Sequence, residues 1–179
     1  MKVYIRNQQR LIKVNQQRIR RFLRKALHLL GLHKAELSIL LVNDRRMKIL
    51  NRQYRGVDRT TDVLSFPQQN RYTLHVTRYT SLPLGDIVIN LHQAKRQAAE
   101  HGLTLNEELR RLIIHGLLHL IGYDHERSRY MRRKMQKKEG ELLSLTTKSK
   151  FLKSSTRITQ GYVLNDHTVS FRAKRGISF

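Results

Sequence analysis

The 179-residue chain has no cysteine, no tryptophan, only two prolines, and only 13 acidic residues against 36 lysines and arginines. Without cysteine there is neither a disulfide framework nor a thiolate metal site. That fits a reducing, cytoplasmic setting and leaves histidine and carboxylate as the good metal ligands. Without tryptophan, and with few other aromatics, a stacking platform for single-stranded bases is thin. Long apolar runs are missing too. The opening MKVYIRNQQRLIKVNQQRIRR has no stretch that suits a signal peptide, and nothing later approaches a membrane span. The shortage of acid leaves a formal charge of +23. Such a surface displaces the counterions of a polyanion, so nucleic acid is the expected partner, held through its backbone more than its bases.

The length suits one domain with a real core and a short appendage. MKVYIR predicts an edge strand. In residues 15–30, Ile19, Phe22, Leu23, Ala26, Leu27 and Leu30 recur at helical spacing, with Gly31 at the stop. AELSILLVN (35–43) predicts a buried strand, and DRRMKILNRQYR (44–55) a helix with Asp44 as its N-cap. Val63–Phe66 predicts a short strand, 68–81 a polar hairpin or flap, GDIVIN (85–90) a strand, and LHQAKRQAAEHG a helix. Thr104 and Glu107 form a capping box that opens a helix running to about Leu120. A last, basic helix follows at about 127–145. The mixture predicts an α+β fold, a single domain over 1–145 with a mixed sheet of about four strands and about five helices. Residues 146–179 lose periodicity and carry seven basic residues to one acidic, which predicts a basic tail without regular structure.

Chemistry concentrates in HGLLHLIGYDH (115–125). His115 and His119, four apart on the capped helix, stack on one face about a turn apart, and both can reach one ion. Gly122 permits the left-handed turn that brings His125 back as a third ligand. Three neutral imidazoles suit Zn²⁺ better than Mg²⁺ or Ca²⁺, and three protein ligands leave an open position, the pattern of a catalytic site. Asp124 can touch the metal, orient an imidazole or cap the turn. Zinc proteases with this spacing carry a glutamate base after the first histidine. Gly116 stands there instead and can take no proton, which counts against peptide hydrolysis.

HGLLHLIGYDH is similar to the signature of the YbeY-type rRNA maturation endoribonucleases. LNRQYRGVDRTTDVLSFP (50–67) and LGDIVIN (84–90) resemble two further motifs of that family in order and spacing. The resemblance covers about residues 1–145. It implies one Zn²⁺ on His115, His119 and His125, and a functional arginine at Arg55. It further implies single-strand endoribonuclease activity in maturation of small-subunit rRNA ends and in ribosome quality control, with ribosomal components as partners. His115 then counts as a catalytic residue as well as a ligand, and Arg55 as a catalytic and phosphate-binding residue whose planar fork matches phosphate. Asp62 either holds Arg55 or starts the strand, and Ser65 and Phe66 read as packing. Two departures stand out. Thr60 replaces the family's usual proline, which predicts a looser turn before Asp62, and the segment after the third histidine is basic where relatives are often acidic. Two other readings share these features: a metallopeptidase-like zinc hydrolase, and a non-catalytic ribosome-assembly factor whose metal fixes a helix end.

Overall fold

The computed structural model describes residues 1–68, 82–124, 128–147 and 169–170. Ten elements follow one another: β1 (Lys2–Asn7), α1 (Gln16–Leu29), β2 (Ala35–Val42), α2 (Asp44–Arg55), β3 (Val63–Pro67), β4 (Leu82–Asn90), α3 (Leu91–Glu100), α4 (Leu105–Leu120), α5 (Arg129–Thr147) and the two-residue β5 (Val169–Ser170). They build the expected α+β domain with one mixed sheet, in the order β1-β2-β4-β3-β5. β2 runs parallel to β1 and to β4, whereas β3 returns antiparallel to β4. β1 lies at the edge, as its sequence predicts. Of residues 146–179, Thr146 and Thr147 end α5, and Val169 and Ser170, the other two described, pair parallel to β3. The hairpin or flap expected at 68–81 lies outside the described residues apart from Gln68, which is exposed.

The strands place alternate side chains on opposite faces, and each face is apolar. Leu37, Ile39, Leu41, Val63, Ile87 and Ile89 join the core under α1, α3, α4 and α5. Leu40, Val42, Leu64, Phe66 and Val88 face the other way and meet Met47 and Leu50 of α2. The sheet is therefore covered on both sides, with α2 opposite α4. Residues Leu109 and Arg111–Leu120 of α4 are all buried, so this helix runs through the interior. Between Leu112 and Leu120 only the two histidines are polar, and a stretch apolar nearly all round is satisfied only by such a position. Its capping box forms as predicted: the Thr104 hydroxyl accepts from Glu107 N, and the Glu107 carboxylate accepts from Thr104 N at 2.8 Å.

The cap of α2 differs from expectation. Asn43 is the N-cap, its side chain accepting from Arg46 N at 2.9 Å, and Asp44 occupies the first turn. The reason lies across the fold. Asp44 is taken by Arg96 of α3, which donates to both of its oxygens at 2.9 and 2.7 Å, and by Asn90 Nδ2 at 2.7 Å. The guanidinium and the amide hold the Asp44 carboxyl down at about 2, from an ordinary value of 3.8. A carboxylate also suits the positive end of a helix. A depressed folded value means stabilisation that is complete above 3.8 and lost as pH falls through about 2. We expect the urea midpoint of the wild type to drop more steeply over that acid interval than that of Asp44→Asn. Parallel curves for the two proteins would show that the pair contributes nothing. The effect is modest because Asp44 and Arg96 are both partly exposed.

Candidate active site

The site starts from α4. Because the helix is buried, His115 and His119 are interior side chains, at 0% and 4% exposure. Four residues of helical rise set them one above the other, and their Nε2 atoms approach to 3.0 Å. Two imidazole nitrogens at that distance share either a proton or a cation. Two nitrogen ligands on one tetrahedral zinc ion stand about 3.3 Å apart, from bonds of about 2.0–2.1 Å, so the observed approach is within a few tenths of that spacing. The pair fits a metal without rearrangement of the helix.

The far side of His115 has a partner that the local sequence pattern does not announce. Its Nδ1 lies 2.6 Å from Glu139 Oε1, a carboxylate 24 residues away on α5. A carboxylate oxygen accepts, so this contact favours the ring form with its proton on Nδ1, in which Nε2 faces His119 as an acceptor. Glu139 is itself buried, on the inward stripe Met135, Glu139 and Leu142 that packs α5 on α4. Its place at helical spacing between two apolar positions was the signal available in the sequence. A second buried carboxylate, Glu108, lies on the same face of α4 two turns before His115. It accepts from Arg111 Nε at 3.1 and 3.0 Å.

α4 ends where the pattern predicts. Gly122 takes φ 93°, and its amide donates to the His119 carbonyl at 3.0 Å. The chain turns there towards Tyr123 and Asp124, both half-buried. His125, the third predicted ligand, lies outside the described residues. Among the described residues, accordingly, no group of three potential ligands is assembled.

Arg55 ends α2, whose apolar residues pack on the sheet face opposite α4. It is half-buried, and its Nη1 donates to Asn51 Oδ1 at 3.4 Å. Asp62 starts β3: its Oδ1 accepts from Val63 N at 2.8 Å, and its Oδ2 from Gln97 Nε2 of α3 at 3.1 Å. Those contacts tie Asp62 to the start of β3 and to α3. The turn before it is tied down, contrary to expectation. The Asn90 amide lies 2.9 Å from Thr60 Oγ1 and 3.1 Å from the Thr61 carbonyl. A hydroxyl that can accept does here what proline's fixed backbone would otherwise do. Ser65 and Phe66 are packing residues: the Ser65 hydroxyl donates to the Gly116 carbonyl at 3.4 Å, and Phe66 meets Tyr54 edge-on at 5.0 Å.

Gly116 faces the sheet. A Cβ built there would stand 3.0 Å from both Ile87 Cγ2 and Ser65 Oγ. Helix and sheet approach too closely at this position for a long side chain, so no base can stand where a zinc protease has its glutamate. The basic helices frame the same region. α5 borders the histidines through Glu139, and Lys134 Nζ stands 6.0 Å from the centre of the Tyr123 ring. α1 packs in turn against α5, Lys25 Nζ donating to the Thr146 carbonyl at 3.1 Å.

The family profile described as Endoribonuclease YbeY matches residues 4–147. The chain belongs to that family. An endoribonuclease YbeY of Aquifex aeolicus is 40% identical over 137 residues, which cover 76% of this chain and 87% of the relative. One of Persephonella marina is 51% identical over 104 residues, 58% of this chain and 65% of the relative. A Thermotoga maritima protein solved in solution superimposes with a TM-score of 0.54 at 26% identity, covering 85% of this chain and 99% of that one. YbeY membership places this chain in a family described as endoribonucleases, that is, among the nucleases. Among the described residues, no helix is long and apolar enough to cross a membrane.

Proposed function

We propose that the protein is a zinc-dependent, single-strand-specific endoribonuclease of the cytoplasm. In this reading it matures the 3′ end of small-subunit rRNA and serves ribosome quality control, with ribosomal RNA and small-subunit components as its partners. The observation that carries the reading is the buried pair His115 and His119, whose Nε2 atoms converge to 3.0 Å inside a YbeY-family fold. One Zn²⁺ held by His115, His119 and His125 would supply Lewis acidity, polarising a phosphate oxygen and lowering the pKa of bound water.

The chain's own residues do the rest. The two imidazoles keep their Nε2 atoms together, with the Nδ1 edge of His115 held on the opposite side by Glu139. Arg55, at the end of α2 on the other side of the sheet, offers a planar cation for RNA phosphate. Gly116 offers no base; in this reading the ribose 2′-oxygen attacks the phosphorus and the 5′-oxygen of the next nucleotide leaves, giving a 2′,3′-cyclic phosphate, with the hydroxyl proton passing to solvent and solvent returning one to the leaving oxygen. The basic residues of α1 and α5 hold the polyanion through its backbone, in keeping with a net charge of +23.

The test is cleavage of a small-subunit rRNA 3′-end precursor beside an all-DNA analogue of the same sequence, using chelator-stripped protein with and without added zinc. We expect cutting of the RNA only, and only with zinc. Equal cutting of the DNA would overturn the 2′-OH route. RNA cutting by the stripped protein would overturn the metal. RNA bound but never cut would favour an assembly factor.

A further inference from the structure

We propose that Glu139 is the positioning residue of this site, locking the His115 ring so that its Nε2 lone pair stays aimed at the point shared with His119. The inference rests on the zinc reading above but concerns a residue outside the histidine motif. It begins from an energetic oddity. On the inward stripe of α5, Met135 and Leu142 are apolar and Glu139 between them is a buried carboxylate, 7% exposed. Burying a carboxylate costs several kcal/mol even when it is paired, and an apolar residue in such a place is commonly neutral or better for stability. The helix would pack on α4 with any residue of suitable size at 139. What only a carboxylate or its isostere supplies is an acceptor facing His115 Nδ1, and the 2.6 Å contact is in the short range of a charge-assisted bond.

The geometry explains what the bond achieves. A histidine on a helix face can flip about its outer side-chain torsion, exchanging each nitrogen for a ring carbon. It can also move its proton from one nitrogen to the other. Either change would turn the Nε2 lone pair of His115 away from His119. Glu139 opposes both, because a flipped ring or an unprotonated Nδ1 leaves a buried carboxylate without its donor. Metal-bound histidines are commonly oriented by a carboxylate or carbonyl on their other nitrogen, and loss of that partner costs about 10–100-fold in metal affinity. Glu139 touches the Nδ1 edge of the ring and not the Nε2 edge. It therefore orients the ligand and does not act as a proton acceptor at the reacting phosphate. The contact also joins the basic helix to the site, since Lys134 on the same helix stands over the Tyr123 ring beyond the histidines.

The decisive experiment measures zinc affinity without RNA. Wild type, Glu139→Gln and Glu139→Ala compete with a chromophoric chelator for zinc, well below the melting temperature of each metal-free protein. We expect about 10–100-fold weaker binding in the alanine variant and a smaller loss in the glutamine variant, which keeps a neutral acceptor. A purely structural Glu139 would lower both melting temperatures yet leave the affinity of the folded protein unchanged, and that result overturns the proposal. If neither variant folds, nitrogen-15 chemical shifts of the His115 ring in the wild type decide. A protonated Nδ1 with and without zinc supports the proposal, and a protonated Nε2 in the metal-free protein overturns it. Failure of the underlying zinc reading looks different, because the wild type itself would then not bind zinc while the ring shifts would still report the grip of Glu139.

Discussion

His119→Ala is expected to reduce RNA cleavage about 10²–10⁴-fold while the protein still folds and still retains RNA. The magnitude follows from the several kcal/mol that a bound metal contributes to stabilising developing charge, at about 1.4 kcal/mol for each tenfold in rate. His119 is buried, and its Nε2 is one of the two nitrogens that converge. Alanine removes that nitrogen and leaves only one of the pair. The structural cost is smaller, a cavity at the end of α4 worth about 1–3 kcal/mol. Folding and catalysis should therefore separate. The checks are single-turnover cleavage of the rRNA precursor, RNA retention on a filter, and thermal melting of the metal-free protein. Undiminished cleavage by the variant would place the activity elsewhere or in a contaminant, and the histidine pair would lose its role. Loss of RNA retention together with cleavage would point to a structural role for the ring.

Gly116→Glu is expected to prevent stable folding, whereas Gly116→Ala should be tolerated. The alanine methyl would meet Ile87 Cγ2 and Ser65 Oγ at 3.0 Å and Ile87 Cδ1 at 3.2 Å, all side-chain atoms that can yield slightly. Overpacking costs about 1–3 kcal/mol, and alanine regains about 1 kcal/mol of helix propensity over glycine, so the net change is small. Glutamate would bury a carboxylate between α4 and the sheet, against the side chains of Ile87 and Ser65. The desolvation of that charge alone costs several kcal/mol, and the extra atoms add strain. Together these rival the whole stability of a domain, about 5–15 kcal/mol. Urea midpoints of the two variants check the prediction. A Gly116→Glu protein as stable as the wild type would mean that the helix does not pack here as closely as described. The site thus lacks the protease glutamate for a steric reason: position 116 belongs to the helix–sheet interface, one residue round the helix from the histidine face.

Much of the architecture was legible because its signals are local. The capping box at Thr104 and Glu107 marked the start of α4, and Gly122 marked its end. The apolar period of α1 and the β-rich run of β2 identified those elements within a residue or two. The cap of α2 was missed by one position. Asn43 and Asp44 are both good caps, and the choice between them was made by Arg96 and Asn90, far along the chain. The turn at Thr60 was misjudged for the same reason, since the amide that fastens it belongs to Asn90 at the end of β4.

By itself the sequence determined that two histidines share one face of a capped helix, that no carboxylate follows the first of them, and that the surface is strongly cationic. These are properties of neighbours along the chain, and helical periodicity carries them directly into space. Only the tertiary structure decided that α4 is buried, that Gly116 meets the sheet, that α2 with Arg55 lies across the sheet from α4, and that Glu139 holds His115. Such contacts depend on which faces pack together, and a separation of 24 residues with a turn between leaves no periodic trace of the pairing.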